Sequence, residues 1–286
     1  MTYLAIEGGI GRLEDDGSVA VLDGDLAGYL ADGNHLDALA SAPARDRRHP
    51  DEVTPAPVLA PGASVWGIGL NYRSKQLATG RSLPKHPALF LKAPAGIARP
   101  GEPIRIPATA PDCVDYEGEI AVVVGAPLFE ATPATAASAV VAVAAANDVT
   151  ARDVMKATGV PSLAKSYPGF GQFGSAVVDP EASGGVKGVE VTTRVNGELR
   201  QSDRGDGMIL PVPDLLSLLS RYVVLRPGDV VLTGTPAGTG DETKTYLAPG
   251  DVVDVEVAGL PVLRSTVVDG RHRGERGRDE RDSTDR

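Results

Sequence analysis

Short apolar runs, broken every few residues by glycine, proline or a polar cluster, dominate the chain and predict strands joined by turns. Tyr3 to Ile6 and Val19 to Leu22 read as a hairpin around the polar turn Glu14-Asp15-Asp16-Gly17, followed by a short helix near Leu26 to Leu30 and a Pro-rich connector. Residues 1–60 thus form a small N-terminal β-rich module with its connector. Ser64-Val65-Trp66-Gly67-Ile68-Gly69-Leu70-Asn71-Tyr72 reads as a strand that ends in a glycine turn, and further strands are expected at Ala88–Leu91, Ile104–Ile106, Glu117–Val124, Val141–Ala146, Val189–Val195, Val230–Thr233 and Val252–Val257. Thr132-Pro133 opens an Ala-rich helix, Thr150 begins another, and Leu210–Leu219 carries Pro211 and Pro213 at its helical start. From Arg73 to His86 no period stands out, and a mobile loop or lid fits the composition. The pattern as a whole is mixed α+β, mainly β.

One strand breaks the apolar rule. In Val114-Asp115-Tyr116-Glu117-Gly118-Glu119-Ile120-Ala121-Val122-Val123-Val124 the alternation of side chains puts Glu117 and Glu119 on one face, with Ala121 and Val123. Two carboxylates roughly 7 Å apart stay ionised in an apolar setting only beside a cation. Either they mark the wet face of an edge strand, or they hold a divalent metal; the apolar run after Glu119 argues against the wet face. Asp148, at the end of another apolar strand, is the natural third donor, with Asp112 and Asp115 as competitors. An all-oxygen set selects a hard cation, Mg²⁺, Mn²⁺ or Ca²⁺.

Composition narrows the remaining classes. A net charge of −10 argues against nucleic acid, and the absence of any run of about 18 apolar residues argues against a membrane span. A soluble cytoplasmic protein is expected. The single Cys113 excludes multi-thiolate metal sites, and the four histidines lack ligand spacing. Gly67-Ile68-Gly69 and Gly234-Thr235-Pro236-Ala237-Gly238 miss the closing residues of nucleotide loops. Only 7 of the 28 basic residues are lysine, so Lys92 and Lys165, both in apolar or proline-bounded segments, stand either as snorkelling surface residues or as functional ones. The tail 269–286 holds six Arg and six acidic residues with no aliphatic residue, and is expected to be disordered.

Five motifs in order resemble the fumarylacetoacetate hydrolase family: Gly67-Ile68-Gly69-Leu70-Asn71-Tyr72, the Asp115-Tyr116-Glu117-Gly118-Glu119 strand, Ala146-Asn147-Asp148-Val149-Thr150-Ala151-Arg152-Asp153, Ala164-Lys165-Ser166, and Leu225 to Pro236. The resemblance spans residues 61–268. It implies a mixed β-sandwich roll, a homodimer, and a Mg²⁺ or Mn²⁺ site made by Glu117, Glu119 and Asp148. It further implies an enzyme acting on a 2-oxo or 2,4-dioxo acid, in the first instance by hydrolytic C–C cleavage, with isomerisation, tautomerisation, decarboxylation or dehydration as rivals and a silent binding protein as a third reading. Lys165 would neutralise enolate charge. Arg152, Thr235, Gly234 and Gln172 would contact substrate, with Asn71 and Tyr72 shaping the lid entrance. Many relatives carry His and, three residues later, Glu in the lid to activate water. This chain has Lys75 and Ala78 there, so Lys75 is a cationic clamp, a base made by desolvation, or a residue without catalytic duty. His86 is a possible substitute.

Overall fold

The computed structural model describes residues 1–270, the side chains of 182 and 183 excepted; from 271 onward the expected disordered tail lies outside the described residues. The N-terminus folds as a three-strand meander rather than the single expected hairpin: β1 (Thr2–Ile6), β2 (Gly9–Leu13) and β3 (Val19–Leu22). β2 escapes the hydrophobic pattern because a side chain at Gly9 or Gly11 would run into Leu22 O or Val19. Helix α1 (Leu26–Ala31) starts where Asp25 accepts a hydrogen bond from the Gly28 N–H, and β4 (Asp46–Arg48) closes this edge.

The middle of the chain supplies β5 (Val65–Ile68), α2 (Arg73–Thr79), β6 (Leu89–Lys92), β7 (Ile104–Ile106), β8 (Val114–Asp115) and β9 (Gly118–Val124). Part of the expected loop is therefore helix α2, which ends on the left-handed Gly80. Its two turns bury only Lys75 and leave Leu77 exposed, so no apolar stripe announces it. Then come α3 (Pro133–Ser138), capped by Thr132 as expected, β10 (Val140–Asp148), β11 (Thr150–Ala151), α4 (Arg152–Thr158), α5 (Pro161–Ala164) and β12 (Gly171–Val178). The last third adds β13 (Glu190–Val195), β14 (Glu198–Arg204), α6 (Val212–Ser220), β15 (Val230–Leu232), α7 (Gly240–Thr243), β16 (Val252–Val257) and β17 (Leu263–Asp269).

Two main sheets result. Ten strands run in the order β4-β3-β2-β1-β12-β10-β9-β15-β5-β6, and five in the order β14-β13-β16-β17-β7. Residues 1–60 contribute β1 to β4 to the larger sheet, joined through the antiparallel pair β1–β12. β9 lies between β10 and β15 and is buried along its whole length, and Glu117 just before it is buried too, so the wet-edge reading of Glu117 and Glu119 is excluded. Its alternation splits cleanly: Ile120, Val122 and Val124 join the core shared with Val191, Val253 and Val255 of the five-stranded sheet. Ala121 and Val123 join a second core with Ala144, Ala146 and the N-terminal residues Leu26 and Leu30. The large sheet also curls without closing into a barrel. After edge strand β6 the chain folds over β12, where Ile97 bridges Gly171 and the Ala98 N–H bonds Gly171 O at 2.9 Å. The architecture is the mixed, mainly β sandwich roll expected.

Candidate metal centre and its cavity

Register brings the three carboxylates together. β9 and β10 are antiparallel, with Glu119 opposite Ala146 and Gly118 opposite Asn147, so continuing the register sets Glu117 opposite Asp148. The Asp148 N–H donates to Glu117 O at 2.8 Å. With period two, Glu117, Glu119 and Asp148 all face the same side, and one oxygen from each lies within 4.8 Å of the others. Glu117 is 5% exposed, Glu119 and Asp148 1% each. The peptide between the two glutamates is pinned: Asn147 Oδ1 accepts from the Glu117 N–H and Gln201 Oε1 from the Gly118 N–H, both at 3.0 Å. Residue 118 must be glycine, since a Cβ there would sit 1.9 Å from Thr193 Oγ1 in the second sheet.

Cations answer most of this charge. Arg152, the first residue of α4, donates from Nε to Asp115 at 2.8 Å and from a terminal nitrogen to Glu117 at 2.5 Å. Lys165 Nζ bridges Glu117 and Asp148, takes Thr150 Oγ1 at 2.8 Å, and stands 5.0 Å over the Phe90 ring. Lys92 Nζ, fully buried, holds the other oxygen of Asp148 at 2.6 Å. Burial alone would raise Glu117, but Arg152 and Lys165 hold its carboxyl far below the usual range. Burial would lower Lys165, and Asp148 and Glu117 reverse this and raise it, keeping it an ammonium. Lys92 goes the other way, with desolvation outweighing Asp148.

Glu119 is different. Among the described residues it makes no ion pair, and its one hydrogen bond comes from the Gly234 N–H at 2.8 Å. Burial, then the negative charge of Asp148 and Glu117, raise its pKa well above that of an ordinary carboxyl. A buried acid facing two others, all of them hard oxygen donors, fits a divalent cation. Asp115, weighed as a competitor donor, instead receives Arg152 and the N–H groups of Gly240 and Asp241 at the start of α7. Asp112 is exposed and apart from the cluster.

A cavity of about 510 Å³ opens onto Glu117 and Glu119. Lys165, Arg152, Lys75 and Thr235 line it, as does His86 from the exposed loop after α2. Lys75 Nζ is bound to Glu242 at 2.9 Å and Thr239 at 3.1 Å, which makes it a paired cation rather than a free amine. The Thr235 hydroxyl proton goes to Gly118 O at 2.9 Å and its oxygen accepts from Gln201 at 2.7 Å, so its donor is already committed. Gly234 contributes through its N–H to Glu119, and its close neighbour is Asn71, whose Cβ would lie 2.8 Å from a Cβ at 234. Gln172 does not line the cavity: its amide serves Glu102 O, Gly169 O and Ser265. Tyr72 is fully buried beneath the site, and Asn71 ties Leu210 and Thr233 together. Lys92, Gln201 and Glu242 are the residues whose part sequence reading misses; only Lys92 carried a signal, as a scarce lysine in an apolar strand.

The roll, with a buried acidic trio that could hold a metal ion and paired cations around it, points to one family of enzymes. The chain belongs to that family: residues 64–268 match the model of the fumarylacetoacetate (FAA) hydrolase C-terminal domain. It is 32% identical over 216 residues to the oxaloacetate tautomerase YisK of Bacillus subtilis, covering 74% of this chain and 72% of that one. It is 30% identical over 273 residues to the 2,4-didehydro-3-deoxy-L-rhamnonate hydrolase of a Sphingomonas species, covering 93% and 94%. The solved fumarylacetoacetate hydrolase of Exiguobacterium antarcticum superposes with a TM-score of 0.77 at 33% identity, over 94% of this chain and 99% of that one. Among the described residues no helix is long and apolar enough to cross a membrane.

Proposed function

We propose that the chain is a divalent-cation-dependent enzyme that takes 2-oxo and 2,4-dioxo acids through an enolate, with keto–enol tautomerisation or isomerisation as the outcome its site supports best. The observation that carries this is Glu119, buried, without an ion pair among the described residues, lining the cavity with Glu117 and with Asp148 close behind, one oxygen of each within 4.8 Å of the others. Mg²⁺ or Mn²⁺ held by these three groups would supply positive charge for the carboxylate and keto oxygens of the substrate and for the enolate charge that develops. The chain's own residues do the rest. Lys165, kept protonated by Asp148 and Glu117, places its positive charge beside that site. Arg152 holds Glu117 ionised and in place. Ketonisation of an enol needs a proton at carbon, and Lys75, whose Nζ gives two of its three N–H groups to Glu242 and Thr239, lines the cavity with one left to deliver it. Both activities require only proton transfer and charge stabilisation.

Hydrolysis of a C–C bond asks for more, since a water must be deprotonated. Lys75 is tied to Glu242, and Ala78 replaces the carboxylate that relatives of this family carry in the lid. One observation keeps hydrolysis as the second reading: the His86 imidazole lines the cavity without a hydrogen-bond partner among the described residues. The two separate in one assay. With Mg²⁺, enolic acylpyruvates and oxaloacetate are expected to lose enol absorbance without release of pyruvate. Metal-dependent pyruvate release from the acylpyruvate would transfer the assignment to hydrolysis, enzyme-dependent pyruvate release from oxaloacetate would transfer it to decarboxylation, and no change with either substrate would sink both readings.

A further inference from the structure

We propose that Arg81 reads a second anionic group at the far end of the substrate, so that the site prefers 2-oxo acids whose chain ends in a carboxylate over those that end in an alkyl group. This rests on the reading of the inner site as the place where the 2-oxo acid end is held. The other lysines and arginines that line the cavity are already paired. Lys75 pairs with Glu242 at 2.9 Å, Lys156 with Asp241 at 3.1 Å, Arg152 with Asp115 and Glu117, and Lys165 with Glu117 and Asp148. Arg81 alone among the lining lysines and arginines makes no hydrogen bond or ion pair within the described residues.

Its position suits the task. Arg81 follows the left-handed Gly80 that ends α2, on an exposed loop, whereas the carboxylate trio is buried at the floor. A ligand anchored at Glu117, Glu119 and Asp148 therefore extends toward the solvent side, where Arg81 stands. The volume of about 510 Å³ accommodates a chain well beyond the 2-oxo acid head. Much of the remaining wall is apolar, including Ile68, Leu70, Phe90 and Met155, which suits a carbon spacer between two acidic ends. A guanidinium offers a carboxylate two parallel N–H donors, and an alkyl terminus gains nothing from it.

The test uses the full chain with Mg²⁺ and two probes of equal length and identical head group, 2-oxoglutarate and 2-oxovalerate, titrated calorimetrically against wild type, Arg81→Gln and Arg81→Lys, with oxalate as the probe of the head site. Wild type is expected to bind the diacid about tenfold more tightly than the monoacid, a single charge-assisted contact. Arg81→Gln should bring the ratio close to one, and Arg81→Lys should keep part of it. A wild-type ratio of one, or a ratio that Arg81→Gln leaves intact, overturns the proposal while oxalate binding upholds the inner site. Oxalate binding with no binding of the diacid also overturns it. If oxalate itself fails to bind, the reading of the inner site falls and takes the role of Arg81 with it.

Discussion

Glu119 accepts one hydrogen bond, from the Gly234 N–H, and otherwise faces Glu117 and Asp148 with no ion pair among the described residues. Ionising it in the metal-free protein opposes folding. Its folded pKa is raised, so the stabilisation it gives is complete below the ordinary carboxyl range and is lost as pH rises through the folded value. Glu119→Gln should therefore flatten that loss: in chelator, the variant's thermal stability should decline less than wild type's as pH rises above the ordinary carboxyl range. The same variant should bind Mg²⁺ or Mn²⁺ at least about tenfold more weakly while keeping its fold, by calorimetry and circular dichroism. Unchanged metal binding would contradict the assignment. Lys92 is the second residue to probe. Its Nζ and Asp148 are both fully buried, so Lys92→Met leaves one Asp148 oxygen without a partner while Lys165 holds the other, and should cost about 1–3 kcal/mol in urea unfolding. Its sequence context identifies it as unusual but leaves a snorkelling surface role open; only the partner decides.

At the scale of elements, the site depends on how β9 meets β10 on one side and the second sheet on the other. Gly118 lies between the two glutamates where the second sheet presses close, against Thr193 Oγ1. Gly118→Ala would need the sheets to part, and should cost about 1–3 kcal/mol or more in denaturant unfolding while weakening metal affinity, since Glu117 and Glu119 hang from the same peptide. An alanine variant with wild-type stability and metal affinity would refute this packing. Strands β9, β10, β13, β15 and β16 are legible because they are apolar and bounded by turns. β12 and β14 are less so: β12 opens on Gly171, where a Cβ would strike Ile97, and β14 is a polar strand, Glu-Leu-Arg-Gln-Ser-Asp-Arg, whose buried Gln201 serves Gly118 and Thr235. Their pairing partners, not their composition, make them strands.

For the whole molecule, the N-terminal residues extend the same sheet that carries the site. β1 pairs with β12, and β12 pairs with β10, so Asp148 is two strands away from the N-terminus. Leu26, Leu30, Leu36 and Leu39 share a core with Ala144, Ala146 and Phe173. A chain beginning at residue 61 would leave β12 an open edge and expose this core, and is expected to aggregate or to lose cooperative unfolding. A soluble, cooperatively folding 61–286 chain with intact metal binding would refute that dependence.

The alternation around Glu117, Gly118 and Glu119 and the apolar run behind it determined, from sequence alone, a buried strand carrying two same-facing carboxylates. The ordered motifs determined the family and singled out Asp148 as the third carboxylate of the cluster. Those features are local, because strand periodicity and motif spacing are written in neighbouring residues. What surrounds the trio was decided by tertiary structure. Lys92 lies on an edge strand, four places from β10 in the sheet order, and reaches Asp148 only because the sheet curls over itself. Lys75 meets Glu242 across 167 positions, Gln201 supports Gly118 across 83, and Arg81 stands unpaired among the described residues where the other lysines and arginines on the cavity wall do not. Charge pairing across such distances depends on how the layers fold together, and no pattern along the chain encodes it.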